Sequence, residues 1–350
     1  MEEVRHRTRA AVRGLAEADA ITWTAWWHRM SHLPPRRAVR LSQGWHHARD
    51  QLTTSLPTPY LQSSSPSLVD PAGPTDNTEW FVVGVRAMLG QQLDGTPADD
   101  HLAVWRSLAA VRAEEPEAVR GRIATTIALA NLATGLEPPA SGNDNPHYFD
   151  DSVLVRAVAA GLLRPGQPLD AAALAAEDGQ VTHALDGVWG ARAVAALVAV
   201  LVDGGDRAAA VAAARDQLPD GSWISSVVAE CLGCRPARDA PLVLGAALER
   251  EVVDHVYAFA NQAPETLGLL LAHLQGAASA EALLLGALSH PRHADALVPL
   301  AGALAGLCFP GTVDDEVEGS LDGVCVRALA GVRLDTVAAA IEDAVVGARS

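Results

Sequence analysis

The chain contains no lysine. All 26 of its basic residues are arginine, against 42 Asp and Glu, so the formal net charge is −16. The missing lysine reads as a coding bias rather than a mechanism. The excess of acid leaves no clustered cations to grip phosphates, so nucleic acid is not expected as a partner. Cysteine is scarce too. Cys231, Cys234, Cys308 and Cys325 show no secreted-scaffold spacing, and Cys231-x-x-Cys234 has no second pair to complete a zinc site, so buried thiols are expected. No run alternates with period two, which excludes a sheet-based fold. No apolar stretch is long enough for a bilayer, the longest being residues 193–202 and 296–309, and the acidic opening Met1-Glu2-Glu3-Val4-Arg5 has no secretory pattern. A cytoplasmic protein without a membrane partner is expected. Aromatic residues make up 4% of the chain, yet 49% of its 350 residues are hydrophobic, enough to bury a sizeable core.

What is present is helix after helix. Apolar spacing predicts helices over residues 3–31, 36–52, 78–91, 98–113 and 115–136. Further helices are predicted over residues 171–177, 182–203, 206–217, 222–232, 242–262, 264–275, 280–288, 295–307, 319–330 and 336–348. Trp23, Trp26 and Trp27 cluster late in the first, and the pair His46-His47 lies at the end of the second, where neighbours on a helix face different ways. Residues 53–74 and 137–149 are long loops rich in Ser, Thr, Pro, Gly, Asn and Asp, and the first has the length of a lid or binding loop. With no fixed repeat, the expectation is all-α: a single compact multi-helix domain over residues 1–350.

Three polar clusters stand at helix starts. Thr75-Asp76-Asn77-Thr78-Glu79 precedes the apolar run from Trp80. It reads either as an N-cap with Glu79 closing a capping box, or as oxygen ligands for a hard divalent cation. Asn145-Pro146-His147-Tyr148-Phe149-Asp150-Asp151-Ser152 enters the next such helix. It reads either as a capped surface turn or as an anion cradle at a helix N-terminus. His290-Pro291-Arg292-His293-Ala294-Asp295-Ala296 leads into the small-residue helix Leu297 to Gly306, and places His293 and Asp295 at one bend.

Together these stretches resemble the ADP-ribosylglycohydrolase family, which includes the enzyme that removes ADP-ribose from an arginine of dinitrogenase reductase. Arg13-Gly14-Leu15-Ala16 to Ala18-Asp19-Ala20 is similar to the family's G-L-A-x-G-D-A-L-G opening. Thr75-Asp76-Asn77-Thr78 stands for its T-D-D-T metal motif, and Asn145 to Asp150 for its phosphate loop. Asp151-Ser152-Val153-Leu154-Val155-Arg156 stands for its N-G-x-x-M-R, and Thr182-His183 for the pair whose histidine approaches ADP-ribose. Pro264-Glu265-Thr266-Leu267 resembles V-x-x-T-L, and His293-Ala294-Asp295-Ala296 the closing D-T-D-T. The resemblance spans nearly the whole chain. It implies an orthogonal all-α fold with a two-magnesium cleft, and hydrolysis of the bond between ribose C1″ and an acceptor nitrogen or oxygen.

The residues depart from that pattern at the metal positions. Asn77 and His293 replace carboxylates and Ala296 replaces a hydroxyl, leaving Thr75, Asp76, Asn77 and Asp295 as metal ligands. One divalent ion (Mg or Mn) at most, or none, is expected, since a hard dication relies on ligand charge. Asp76, Asp295 and His293 are the candidate catalytic residues. His293 reads as a general base or as a hydrogen-bonded residue without a catalytic part. Asn145, His147, Tyr148, Phe149, Asp150, Asp151, Ser152 and His183 are the candidate ligand-binding residues. Bulk and acidity there favour a ligand smaller or less charged than ADP-ribosyl-arginine, and Tyr148 and Phe149 read as stacking or as core. The expected activity is hydrolysis of an N-glycosidic ribosyl bond, on a ribosylated small molecule or an ADP-ribosyl group. The alternatives are a non-catalytic ADP-ribose or nucleotide binder, and a tailoring enzyme acting on a nucleotide-derived metabolite.

Overall fold

Why the chain folds into closely stacked helices is visible where the first helix meets the last third of the sequence. The computed structural model describes residues 1–22, 73–235, 240–256, 261–290, 292–309, 311 and 316–349. Helix α1 (Glu2–Ile21) lies along α14 (Ala294–Cys308). A Cβ on Gly302 would stand 2.1 Å from the Gly14 carbonyl oxygen, and one on Gly306 would stand 2.3 Å from that of Ala10. The two backbones touch, which only glycine at these positions allows. The contact fixes where the C-terminal end of α1, with Asp19, stands relative to the start of α14, with Asp295.

Between them run α2 (Asp76–Met88), α3 (His101–Glu114), α4 (Ile123–Ala133), the short α5 (Ala140–Asn143), α6 (Ser152–Leu163) and α7 (Pro168–Thr182). Then come α8 (Leu185–Val202), α9 (Arg207–Arg215), α10 (Trp223–Gly233), α11 (Pro241–Glu251), α12 (Ala263–Gly276) and α13 (Ala280–Leu288); α15 (Leu334–Arg349) closes the chain. These are the fifteen α-helices of the described residues, and no strand is found among those residues beyond isolated bridges. The centre is α8, packed against α6, α7 and α9. By length and composition α8 is long and apolar enough to cross a membrane, which the run lengths did not foretell, but 78% of it is buried inside the protein. That is the position of a core helix. The core is Ala, Val and Leu throughout, with Trp105 and Phe81 the only aromatic side chains among its largest fully buried ones.

Four predicted boundaries are corrected, the simplest being the helix expected over 242–262, which ends at Glu251. The helix expected over residues 115–136 begins only at Ile123, after a 3-10 turn at Pro116–Ala118 and an extended stretch in which Val119 bridges Val326. Pro116 starts the turn, and the Arg120 N–H goes to the Cys325 carbonyl oxygen (2.7 Å) instead of a helical partner. The helix expected over 182–203 begins at Leu185, because Thr182 still belongs to α7, His183 and Ala184 are extended and Leu185 turns through φ 42°. The segment 319–330 is not a helix: only Arg327–Leu329 forms a 3-10 turn, between glycines at positive φ (Gly319, Gly323 and Gly331). The first predicted helix is described as far as Ile21; the tryptophan cluster, His46-His47 and the 53–74 loop up to Ala72 lie outside the described residues.

Candidate functional site

Helix α2 starts at Thr75, but its cap is not the capping box that the local sequence suggested. The Thr75 side chain makes no cap bond to its own helix. The cap comes from α1, whose Asp19 is fully buried. Asp19 Oδ2 accepts the backbone N–H groups of Thr75 (2.7 Å) and Thr78 (3.0 Å) and the Thr78 hydroxyl (2.8 Å), and Oδ1 accepts the Thr75 hydroxyl (2.7 Å). A carboxylate at a helix N-terminus answers both the unpaired N–H groups and the dipole. Glu79 turns instead to the 319–330 segment, where it accepts the N–H groups of Val324 (2.6 Å), Cys325 (2.8 Å) and Val326 (2.7 Å). Burial outweighs those three bonds and pushes its carboxyl up to about 7.

Four carboxylates gather around one guanidinium. The break before α4 leaves Arg122 as the N-cap residue of that helix, with its side chain only 10% exposed. Its NH1 donates to Asp151 Oδ1 and its NH2 to Asp295 Oδ2 (2.7 Å), with Asn77 Oδ1 at 3.4 Å. Asp150 and Asp76 add to the negative field around it, and their combined attraction outweighs burial and holds the guanidinium charged. Asp151 gives its second oxygen to the Thr266 hydroxyl (2.7 Å) on α12. Burial is the main reason its carboxyl rises, to about 6, against the pull of Arg122. For Asp150 burial also pushes up, but the facing His183 ring, Arg122 and the Ser152 N–H bring the carboxyl below the usual range.

The 145–152 loop is held from within. The Asn145 amide donates to the carbonyl oxygens of Ala124 (2.9 Å) and Thr182 (3.0 Å) and accepts the His147 N–H (3.0 Å). Asp150 bridges Gln262, its Oδ2 takes the Asn261 amide, and its Oδ1 takes the Ser152 N–H (2.7 Å). That last bond supplies from within the chain an anion at the N-terminus of α6, where a bound phosphate was considered. The Ser152 hydroxyl is buried with no partner among the described residues. His147, Tyr148 and Phe149 are half-buried and join Trp223 in a row of aromatic contacts: Tyr148 meets Phe149 edge-on at 5.2 Å, and Phe149 meets Trp223 at 5.6 Å.

Behind the loop a hydrogen-bond chain fixes the state of His183. Arg156 is fully buried, stacks on Trp105, and donates to Asp178 Oδ2 (2.9 Å) and to the Thr182 hydroxyl (2.7 Å). A bare Nε2 on His183 would face the Asp150 carboxylate, so the Thr182 hydroxyl, which also accepts from Arg156, donates to His183 Nδ1, 2.7 Å away. The ring proton therefore sits on Nε2, which faces Asp150 Oδ1 at 3.9 Å. Burial lowers the His183 pKa and keeps the ring neutral.

His293, the N-cap residue of α14, does not turn to the Arg122 cluster. Its Nε2 pairs with Glu265 Oε2 at 2.7 Å; despite burial, that pairing raises its pKa. The structure thus brings together Asp76, Asn77, Asp150, Asp151, Ser152, His183 and Asp295, while Thr75, Asn145 and His293 make hydrogen bonds to neighbouring elements.

A divalent metal does not fit this donor set. Asn77 presents its amide nitrogen to the Asp295 carbonyl oxygen (2.9 Å) and to Asp19 (3.3 Å), while the Thr75 hydroxyl is turned to Asp19. Asp295 and Asp151 are paired to a fixed cation. Among the described residues no three His, Cys, Asp or Glu side chains are arranged to hold an ion. Two residues of the site were not singled out from the sequence. Asp19 carried a signal, since a carboxylate at the fourth position after Leu15 interrupts an otherwise apolar stripe of α1. Arg122 carried none.

The ADP-ribosylglycohydrolase family description matches residues 1–316. No curated protein matches the chain. Among solved structures, a chain titled "ADP-ribosylglycohydrolase-related protein complex" superposes with a TM-score of 0.63 at 18% identity, covering 99% of this chain and 100% of that one. At that identity the likeness shows the fold, an all-α one. With the family match spanning nearly all of the sequence, the chain belongs to the ADP-ribosylglycohydrolase family.

Proposed function

We propose that the chain is a hydrolase that cleaves the bond between a ribosyl carbon and nitrogen, on an ADP-ribosyl group or a ribosylated small molecule. The observation that carries this reading is the convergence of Asp76, Asp150, Asp151 and Asp295 on one guanidinium, in a family of glycohydrolases. Scission of an N-ribosyl bond develops positive charge on the sugar ring, and a site with more carboxylates than cations stabilises that charge. Asp76 and Asp295 supply the field at the starts of α2 and α14. Asp151, with its carboxyl near 6, exchanges a proton with water or with the departing nitrogen close to neutrality. His183, neutral and with its N–H toward Asp150, orients that carboxylate.

One observation favours a second reading. Asp295 and Asp151 are already paired to Arg122, which is how a site that binds an ADP-ribosyl group without cleaving it would neutralise inherited carboxylates. The two readings separate in one assay. Release of the ribosyl product is followed from ADP-ribosyl-arginine, NAD-type nucleotides and simple nucleosides, beside an Asp76→Ala, Asp295→Ala double variant. Turnover that the double variant loses supports the hydrolase. No turnover on any compound, together with calorimetric binding of ADP-ribose, sinks the hydrolase and leaves the binder.

A further inference from the structure

We infer that Arg122 is a tethered cation which occupies the acidic centre in place of a divalent metal, so that this member of the family assembles its site without a metal ion. The inference stands whether the site hydrolyses its ligand or only binds it.

Four features of the structure meet on this point. First, the guanidinium lies among the carboxylates rather than beside them, reaching Asp151 with one nitrogen and Asp295 with the other, both pairs almost fully buried. Arginine keeps its charge under burial and offers several donors in one plane, so a single side chain serves carboxylates on two different helices. Second, the backbone is shaped to deliver it. The Pro116–Ala118 turn and the Val119–Val326 bridge hold back the start of α4 until Ile123, which leaves Arg122 in extended conformation at the helix mouth.

Third, the neighbouring polar groups are set for a donor cation and not for a metal. The Asn77 carboxamide spends its N–H groups on Asp19 and on the Asp295 carbonyl oxygen, and turns its oxygen to Arg122 at 3.4 Å. Aspartate there could not donate to that carbonyl, so Asn77 and Arg122 form one matched exchange: a carboxylate lost, a cation gained. Fourth, His293 is paired to Glu265 and the Thr75 hydroxyl to Asp19, with Asp76 Oδ1 at 3.2 Å, so two further residues at metal-motif positions are already engaged within the protein. A dication entering among these groups would meet the fixed positive charge of Arg122, and the carboxylates it needs are already shared.

The test uses the full-length protein and Mn²⁺ as the probe. Bound Mn²⁺ is counted by electron paramagnetic resonance, and thermal unfolding is followed with Mg²⁺, Mn²⁺ or EDTA. The unaltered protein should bind no stoichiometric Mn²⁺ and show the same Tm in all three. An Arg122→Ala, Asn77→Asp double variant, with the cation removed and the carboxylate restored, should gain a Mn²⁺-dependent rise in Tm. The variant with Arg122→Ala alone should recover Tm in low millimolar guanidinium but not in equal NaCl. Stoichiometric Mn²⁺ on the unaltered protein overturns the inference, and so does a folded double variant that takes no Mn²⁺. If the variants do not fold, the measurement on the unaltered protein decides by itself. Neither readout depends on turnover, so a protein that hydrolyses nothing can still confirm or overturn the role of Arg122.

Discussion

Asn77 donates its side-chain N–H to the backbone oxygen of Asp295 at 2.9 Å, and that oxygen is available because Pro299 stands four residues further along α14. Proline has no N–H, so the helical bond that Asp295 would accept does not form. A feature that looks like a helix defect is therefore the docking point between the starts of α2 and α14.

Substituting Asn77→Asp removes the donor and sets a new carboxylate beside the carbonyl oxygen and Asp19. The expected effect on the otherwise unaltered protein is a loss of about 1–3 kcal/mol of stability, the usual range when a buried acceptor is left unpaired. Urea unfolding measures it. An unchanged midpoint would mean that the Asn77–Asp295 bond contributes nothing.

The backbone contact between α1 and α14 predicts a strong asymmetry among glycines. Gly302→Ala puts a methyl group 2.1 Å from the Gly14 carbonyl oxygen, which no rotamer change relieves, and should cost about 3 kcal/mol. Gly347→Ala, on α15 where a Cβ meets nothing within 4 Å, should leave stability unchanged or raise it by about 0.5 kcal/mol. Calorimetric Tm values for the two variants should fall on opposite sides of the parent or nearly so.

The helices themselves were legible because their apolar period runs through long segments, and the loop into Asp150 was legible from its Gly, Asn and Asp. The site was only half legible. Asp76, Asp150, Asp151 and Asp295 announce themselves as acids at helix starts. The Arg122 position depends on a break that Pro116 suggests but does not fix. What fixes it is pairing with Val326, two hundred residues later in the chain, which no local pattern reveals. The same long-range pairing turned 319–330 away from the helix its spacing suggested, because the Val324, Cys325 and Val326 N–H groups are taken by Glu79 rather than by their own carbonyls. For His183 the break before α8 rests on a left-handed Leu185, a residue type that gives no warning of such a turn.

A buried histidine pair predicts acid sensitivity with a defined sign. His273 Nε2 meets His290 Nε2 at 2.8 Å, and His290 Nδ1 meets Glu249 at 2.6 Å. Burial, and then His290, lower the His273 pKa to about 3 from its ordinary 6.5. The folded state therefore takes up a proton later than the unfolded chain, so this contribution to stability is whole above pH 6.5 and is lost as the pH falls from there toward 3. Between pH 7 and pH 5 the loss amounts to about 2 kcal/mol. His273→Gln should be free of it, so the stability difference between parent and variant should move in the variant's favour by that amount when unfolding is measured at both values.

Thr182 is the link that sets the His183 tautomer. In Thr182→Val the Arg156 guanidinium and His183 Nδ1 both lose a partner, and about 1–3 kcal/mol of stability should go with them. Nitrogen-15 imidazole shifts should show the proton of the parent protein on Nε2. In the variant that preference should relax toward a mixture; a parent ring protonated on Nδ1 would contradict the hydrogen-bond order.

The glycine seam between α1 and α14 also bears on how the molecule comes into being. Asp19 stands far in sequence from Asp295, against which its neighbours are set. The cap of α2 needs only Asp19, Thr75 and Thr78, whereas the Arg122 cluster cannot close until Asp295 is in place. Contacts so far apart in sequence are slow to form. The assembled site is thus a late event in folding.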